Sequence, residues 1–202
     1  VNAENYFDYI GTHSSAATYA TPENIKFGEA SVEPKAGLNS VEDFIAFRDA
    51  VNSGGDLTTF FGEDGKTVVL NADLDFTGIA GWTPIGAGSF NWASNALTLN
   101  EGSTPFTGTF DGQGHSIKNL ALVCENETAG AAWGLFGILG PGAVVKNLVF
   151  DASSSLSVKC KAQTDAGILA GLVYDATVSN ITNNAPMSFD GAAGDGARSW
   201  DG

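Results

Sequence analysis

The chain has 202 residues, 43% of them hydrophobic and 16% charged, enough to bury a sizeable core in one domain or in one domain plus an extension. Nine Lys and Arg against 23 Asp and Glu leave a formal net charge of −14, which repels phosphate backbones and anionic lipid surfaces and so excludes nucleic acid and an anionic membrane as expected partners. No apolar run reaches the roughly 18 residues that would span a bilayer, and no secretory signal opens at Val1, so the chain reads as cytosolic or as a mature or trimmed exported form.

Residues 1–37 are aromatic, polar and irregular, with a short strand expected at 6–11 and a loop at 14–24; they read as an extension or the tail of a preceding module. Residues 40–53 are the one convincing helix. Ser40 is an N-cap with Asp43 three residues on, and Val41, Phe44, Ile45, Phe47 and Val51 form an apolar face that Gly54-Gly55 ends. From residue 66 the period becomes two, with a strand over 66–76, "WTPIG" at 82–86, a loop-like stretch at 87–104 and a further strand at 95–100.

A repeat then emerges. "HSIKNLAL" (115–122), "AVVKNLVF" (143–150) and "ATVSNITN" (176–183) each place an Asn between an apolar residue two positions before it and a Leu or Ile after it. Residues 134–147 also align without a gap on 167–180. In a strand, alternate residues share a face. The apolar set changes parity at each of Asn119, Asn147 and Asn180, which predicts a tight corner with the Asn in the left-handed region. Corners at one point of every turn would stack the three amides into a hydrogen-bonded ladder.

No helical crossover separates these copies, yet parallel strands need a long return path. The expected fold is therefore all-β, a right-handed parallel β-helix over 38–202 capped N-terminally by the helix at 40–53. Its inward residues should include Ile117, Leu120, Leu122, Leu135, Phe136, Val145, Leu148, Phe150, Leu172, Val178 and Ile181. Cys124 and Cys160 fall at apolar-alternating positions and read as buried thiols in preference to a disulfide.

"F-x-G-T-F-D-G-x-G-H-x-I-x-N-L" (106–120), "G-L-F-G…V-K-N-L" (134–148) and the more divergent 168–180 resemble the repeats of bacterial surface β-helix proteins with the GLUG motif. The lead-in at 68–86 and its preceding helix extend the resemblance over about residues 38–184, although Tyr174 stands where the motif often has Gly. Such proteins are often classed as adhesins, and the non-catalytic N-terminal region of IgA-specific metallopeptidases is similar. The resemblance implies a non-catalytic adhesion, binding or scaffold module of a larger surface protein, located outside a bacterial cell. It implies a host or matrix glycan or protein as ligand, with no cofactor and no membrane insertion of this segment.

No H-E-x-x-H zinc site, nucleophile elbow or P-loop is present, and His13 and His115 are the only histidines. The competing reading is a β-helix polysaccharide lyase or hydrolase, in which Asp73 and Asp75, alternating on one strand face, would hold calcium or act as acid and base. Lys118 and Lys146, each just before an Asn, read as a repeated outward slot. "DGAAGDG" (190–196) faintly resembles calcium-binding repeats but reads as loop. Among Trp82, Trp92, Trp133 and Trp200, the first and third should be packed and Trp92 exposed. Repeated positions are committed to stacking, so a ligand patch is expected on what does not repeat: Phe90, Asn91 and Trp92 within 87–104, with 125–132 next.

Overall fold

The computed structural model describes residues 36–93, 96–125, 130–159 and 164–190. They belong to the unit Pro34–Gly202, one of two into which the chain divides. The strand expected at 6–11, the loop at 14–24, His13, Cys160, residues 191–196 and Trp200 lie outside the described residues. What is described is mostly β, with one α-helix and parallel sheets.

Helix α1 (Val41–Ser53) starts where the sequence places its cap. The Asp43 N–H donates to Ser40 Oγ at 3.1 Å, and the Asp43 carboxylate accepts from the Asn39 N–H at 2.9 Å, so donors with no intrahelical partner are satisfied from both sides. Gly54 ends it at φ 68°, a conformation that costs glycine nothing, and the N–H groups of Gly54 and Gly55 turn back to the carbonyls of Val51 and Ala50. Phe44, Phe47 and Val51 are buried. Phe44 meets Phe76 and Phe110 edge-on at 5.7 and 6.1 Å, and Phe47 meets Phe106 at 5.7 Å. The helix thus covers the aromatic inner surface of the first strands. Trp82 is packed here too, with the Arg48 guanidinium 5.0 Å from its ring centroid.

The strands run β1 (Thr67–Val69), β2 (Leu74–Asp75), β3 (Phe90–Ala93), β4 (Ala96–Leu99), β5 (Thr109–Asp111), β6 (Ser116–Lys118), β7 (Ala121–Cys124) and β8 (Ala131–Trp133). After these come β9 (Phe136–Leu139), β10 (Val144–Phe150), β11 (Ser155–Val158), β12 (Thr164–Ala166), β13 (Ala170–Val173), β14 (Thr177–Asn183) and β15 (Met187–Phe189). Among the described residues every pairing between these strands is parallel except the β3–β4 hairpin. Val68, Phe110, Val145 and Val178 lie in one register row, and Leu74, Ile117, Phe150 and Asn183 in a second. Leu122, Leu156 and Met187 form a third.

Parity behaves as the corners require. Ile117 and Leu120 are both buried although three residues apart, as are Val145 and Leu148. Asn119, Asn147 and Asn180 have φ of 56, 57 and 53°. Gly112 answers to close approach instead of backbone freedom: a Cβ there would run into the Asn147 carbonyl oxygen of the neighbouring layer.

Four expectations need correction. Val178, expected inward, is 38% exposed, and Leu172 and Ile181 are only partly buried, because β13 and β14 are each paired along one edge among the described residues. Cys124 is disulfide-bonded, not a thiol; the one other cysteine of the sequence is Cys160. The ungapped alignment of 134–147 on 167–180 hides two compensating shifts: the offset is 33 at Trp133/Ala166, 34 at Phe136/Ala170 and 33 again at Val144/Thr177. Finally, the loop-like stretch 87–104 contains a hairpin whose first strand, β3, was not expected.

Candidate functional site

Two outward features carry the polar and aromatic residues singled out from the sequence. The first is a network at the corners. Asn180 Nδ2 donates to Asn147 Oδ1 at 2.7 Å, and Asn147 Nδ2 donates to Asp111 Oδ1 at 2.9 Å. Asn119 does not join this row. Its Nδ2 donates to Asp75 Oδ1 at 2.8 Å, while its backbone N–H donates to Ser153 Oγ at 3.0 Å.

The reason lies in the register. Lys146 pairs with Asp111 and Val149 with Ser116, so the chain uses four residues, 112–115, where β10 uses two, 147 and 148. Asn119 therefore stands one corner further along, between Asp75 on one side and the Asp151–Ser154 turn on the other. The row of three asparagines is replaced by two rows, each starting from an aspartate. Asp75 and the neighbouring Asp151 carry a readable sign, the Asp-x-Thr or Asp-x-Ser spacing, whereas Asp111 has Gln113 at that place and accepts from its N–H at 2.9 Å. Asp75 Oδ1 accepts from the Thr77 N–H and hydroxyl at 2.9 and 2.7 Å, and Asp151 Oδ1 does the same with Ser153.

Lys118 and Lys146 share a task. Lys118 Nζ lies 2.9 Å from Asp73 Oδ2, and Lys146 Nζ 3.2 Å from Asp111 Oδ2, so each lysine reaches back to the preceding layer. Asp73 also accepts from the Ser116 N–H at 3.0 Å and lies 3.2 Å from His115 Nδ1. Hydrogen bonding by Lys118 and then by Ser116 holds the Asp73 carboxyl well below the usual carboxylate range, and Lys118 is raised by the same contact. Thr77 and Asn119 lower Asp75 in the same way. For Asp111, partial burial pushes upward, but Asn147, the Gln113 N–H and Lys146 outweigh it and the net direction is down. Asp73 and Asp75 thus share the outer face but have oxygens already engaged. This arrangement suits a fixed anion and opposes proton donation near neutral pH. Among the described residues no group of three or more His, Cys, Asp or Glu is placed to hold a metal ion.

The second feature is the β3–β4 hairpin, in which Phe90 pairs with Leu99, Asn91 with Thr98 and Trp92 with Leu97. Phe90 is 5% exposed and packs with Ala132 and Ile138, whereas Asn91 is exposed and Trp92 is 60% exposed. The structure therefore divides the expected triad: Phe90 anchors the hairpin and Trp92 projects from it, with Asn91 alongside. Of the segment at 125–132, residues 126–129 lie outside the described residues, and Ala131 and Ala132 are buried.

The chain is similar to halomucin of Haloquadratum walsbyi (strain DSM 16790 / HBSQ001), with 32% identity over 156 residues; the match covers 77% of this chain and 2% of halomucin. No family model matches the chain, and no solved structure matches it. No helix among the described residues is long and apolar enough to cross a membrane.

Proposed function

We propose that the chain is a non-catalytic binding or scaffold module of a larger surface protein, wound as a right-handed parallel β-helix capped by α1, and that it displays the β3–β4 hairpin outside the cell. Similarity to halomucin is compatible with a surface module of a larger protein. The GLUG-type resemblance adds adhesion and carbohydrate binding to that reading and rests on the repeat residues alone. A disulfide at Cys124 suits an oxidising compartment outside the cytosol.

The observation that carries the binding proposal is the contrast within the hairpin. Inward and corner residues are committed to stacking, while Trp92 is 60% exposed on an element held in place by a buried Phe90. An exposed indole stacks on sugar rings or anchors a protein partner. Against the lyase or hydrolase reading stands the engagement of Asp73 and Asp75 by Lys118, Ser116, Thr77 and Asn119.

The test is a glycan and matrix-protein array probed with the chain and with Trp92→Ala, alongside polymer-cleavage assays with and without calcium. The expected result is a bound ligand class lost in Trp92→Ala and no cleavage. Cleavage abolished by Asp75→Asn would replace this proposal with the enzyme reading. Because Trp92 is mostly exposed, its replacement should move stability by no more than about 0.5 kcal/mol, whereas Phe90→Ala should cost about 3–5 kcal/mol; a denaturation curve separates lost binding from lost folding.

A further inference from the structure

The three left-handed asparagines have different residues on their C-terminal side. Leu120-Ala121 succeeds Asn119 and Leu148-Val149 succeeds Asn147, but Asn180-Ile181-Thr182 is an Asn-x-Thr triplet, the acceptor pattern for N-linked glycans. They also differ in cover. Asn147 is half-buried and accepts from Asn180, whereas the side chains of Asn119 and Asn180 are exposed. Asn180 lies on β14, which pairs with β10 and with no other strand among the described residues, and both Asn180 and Thr182 are exposed. Asn126-Glu127-Thr128 is a second such triplet in the sequence and lies outside the described residues; among the three left-handed asparagines, only Asn180 combines the triplet with an exposed position.

We propose that Asn180 is an N-glycosylation acceptor; this rests on the reading of the chain as an exported surface module. The donor is a lipid-linked oligosaccharide. Its anomeric C1–O bond to the lipid phosphate breaks, and a C1–Nδ2 bond forms. One amide proton leaves to base, and the lipid phosphate departs with the bonding electrons. Asn180 Nδ2 donates to Asn147 Oδ1 at 2.7 Å, and a side-chain amide has two hydrogens. The sugar replaces one hydrogen, and the other suffices to keep the bond to Asn147.

The experiment isolates the full chain, by cell fractionation, from the cells that make it and reads the Asn180 peptide by mass spectrometry. Wild type, Thr182→Ser and Thr182→Ala are compared, because all three leave the Asn180 amide itself in place. The expected result is a sugar increment on Asn180 in the exported wild type and Thr182→Ser, and a bare Asn180 in Thr182→Ala. Exported wild-type protein with a bare Asn180, or an increment that persists in Thr182→Ala, overturns the proposal while leaving the surface reading intact. Wild-type protein found only inside the cell, with Asn180 bare, overturns both.

Discussion

Val145 and Val178 occupy the same register position on adjacent parallel strands, yet Val145 is fully buried and Val178 is 38% exposed. Leu148 and Ile181, also paired, differ in the same sense. The local sequences are alike: an apolar residue, a polar one, a left-handed Asn, then Leu or Ile. What differs is cover. The β10 strand is flanked by β5 and β6 on one side and β14 on the other; β14 has β10 alone among the described residues. In stacked parallel strands, burial of an inward residue is supplied by two neighbouring layers, and an identical motif with one neighbour stabilises far less.

The largest expected effect sets the two layers against each other. Leu148→Ala should cost about 2–5 kcal/mol, because a fully packed leucine leaves a cavity, while Val178→Ala should cost about 1 kcal/mol or less. Urea denaturation midpoints measure both, and equal losses would break the comparison.

Next comes the amide row. Asn147→Ala removes a donation to Asp111 and an acceptance from Asn180, and it forces a Cβ-bearing residue without a local hydrogen bond into the left-handed region, for about 2–3 kcal/mol in total. Asn180→Ala, with the same left-handed backbone but one bond of the row, should lose about 1 kcal/mol less. Asn147→Gly sharpens the test, since it restores the backbone tolerance without the amide. A loss as large as that of alanine would show that the bonds dominate.

The smallest effect is electrostatic. Asp73 and Asp111 tie adjacent layers through Lys118 and Lys146, whereas β14 has Ser179 where β10 has Lys146. Both carboxyls are lowered in the folded state. Their contribution is therefore fully present above the unfolded carboxylate value near ~4 and is lost as pH falls from there through the folded values. Asp64, lowered to about 2 by Thr67 and the Lys66 N–H, adds to the same acid limb. Asp73 is 47% exposed, so solvent screening keeps its share within about 1 kcal/mol. Denaturation midpoints should be flat from neutral pH to about 5 and then fall, and Asp73→Asn should shallow that fall. An unchanged acid limb in Asp73→Asn would show that the Asp73–Lys118 pair contributes nothing to it.

Much of this architecture is legible in the residues. Ser40 with Asp43 and Gly54-Gly55 mark both ends of α1, and the parity change at each Asn marks a corner, because helix caps and left-handed conformations are satisfied within a few residues. The hairpin is half legible: Leu97 and Leu99 alternate as a strand should, but "GSFNWAS" looks like a loop until Phe90 finds Ala132 and Ile138. Trp92 is legible as an exposed aromatic in a stretch that does not repeat, and Phe90 is not separable from it, since both alternate on one strand and only packing tells the anchor from the tip.

Sequence by itself determined where the chain bends and which side chains alternate, for φ preference and strand parity are properties of neighbouring residues. Tertiary structure decided which corners stack. The four residues at 112–115, where β10 uses two, carry Asn119 past the Asn147–Asn180 row to Asp75, and no local pattern records that count. It also decided that Val178 is exposed and that Asp73 is held by Lys118, because both depend on the strand paired alongside, and that pairing is set by how many residues separate successive parallel strands.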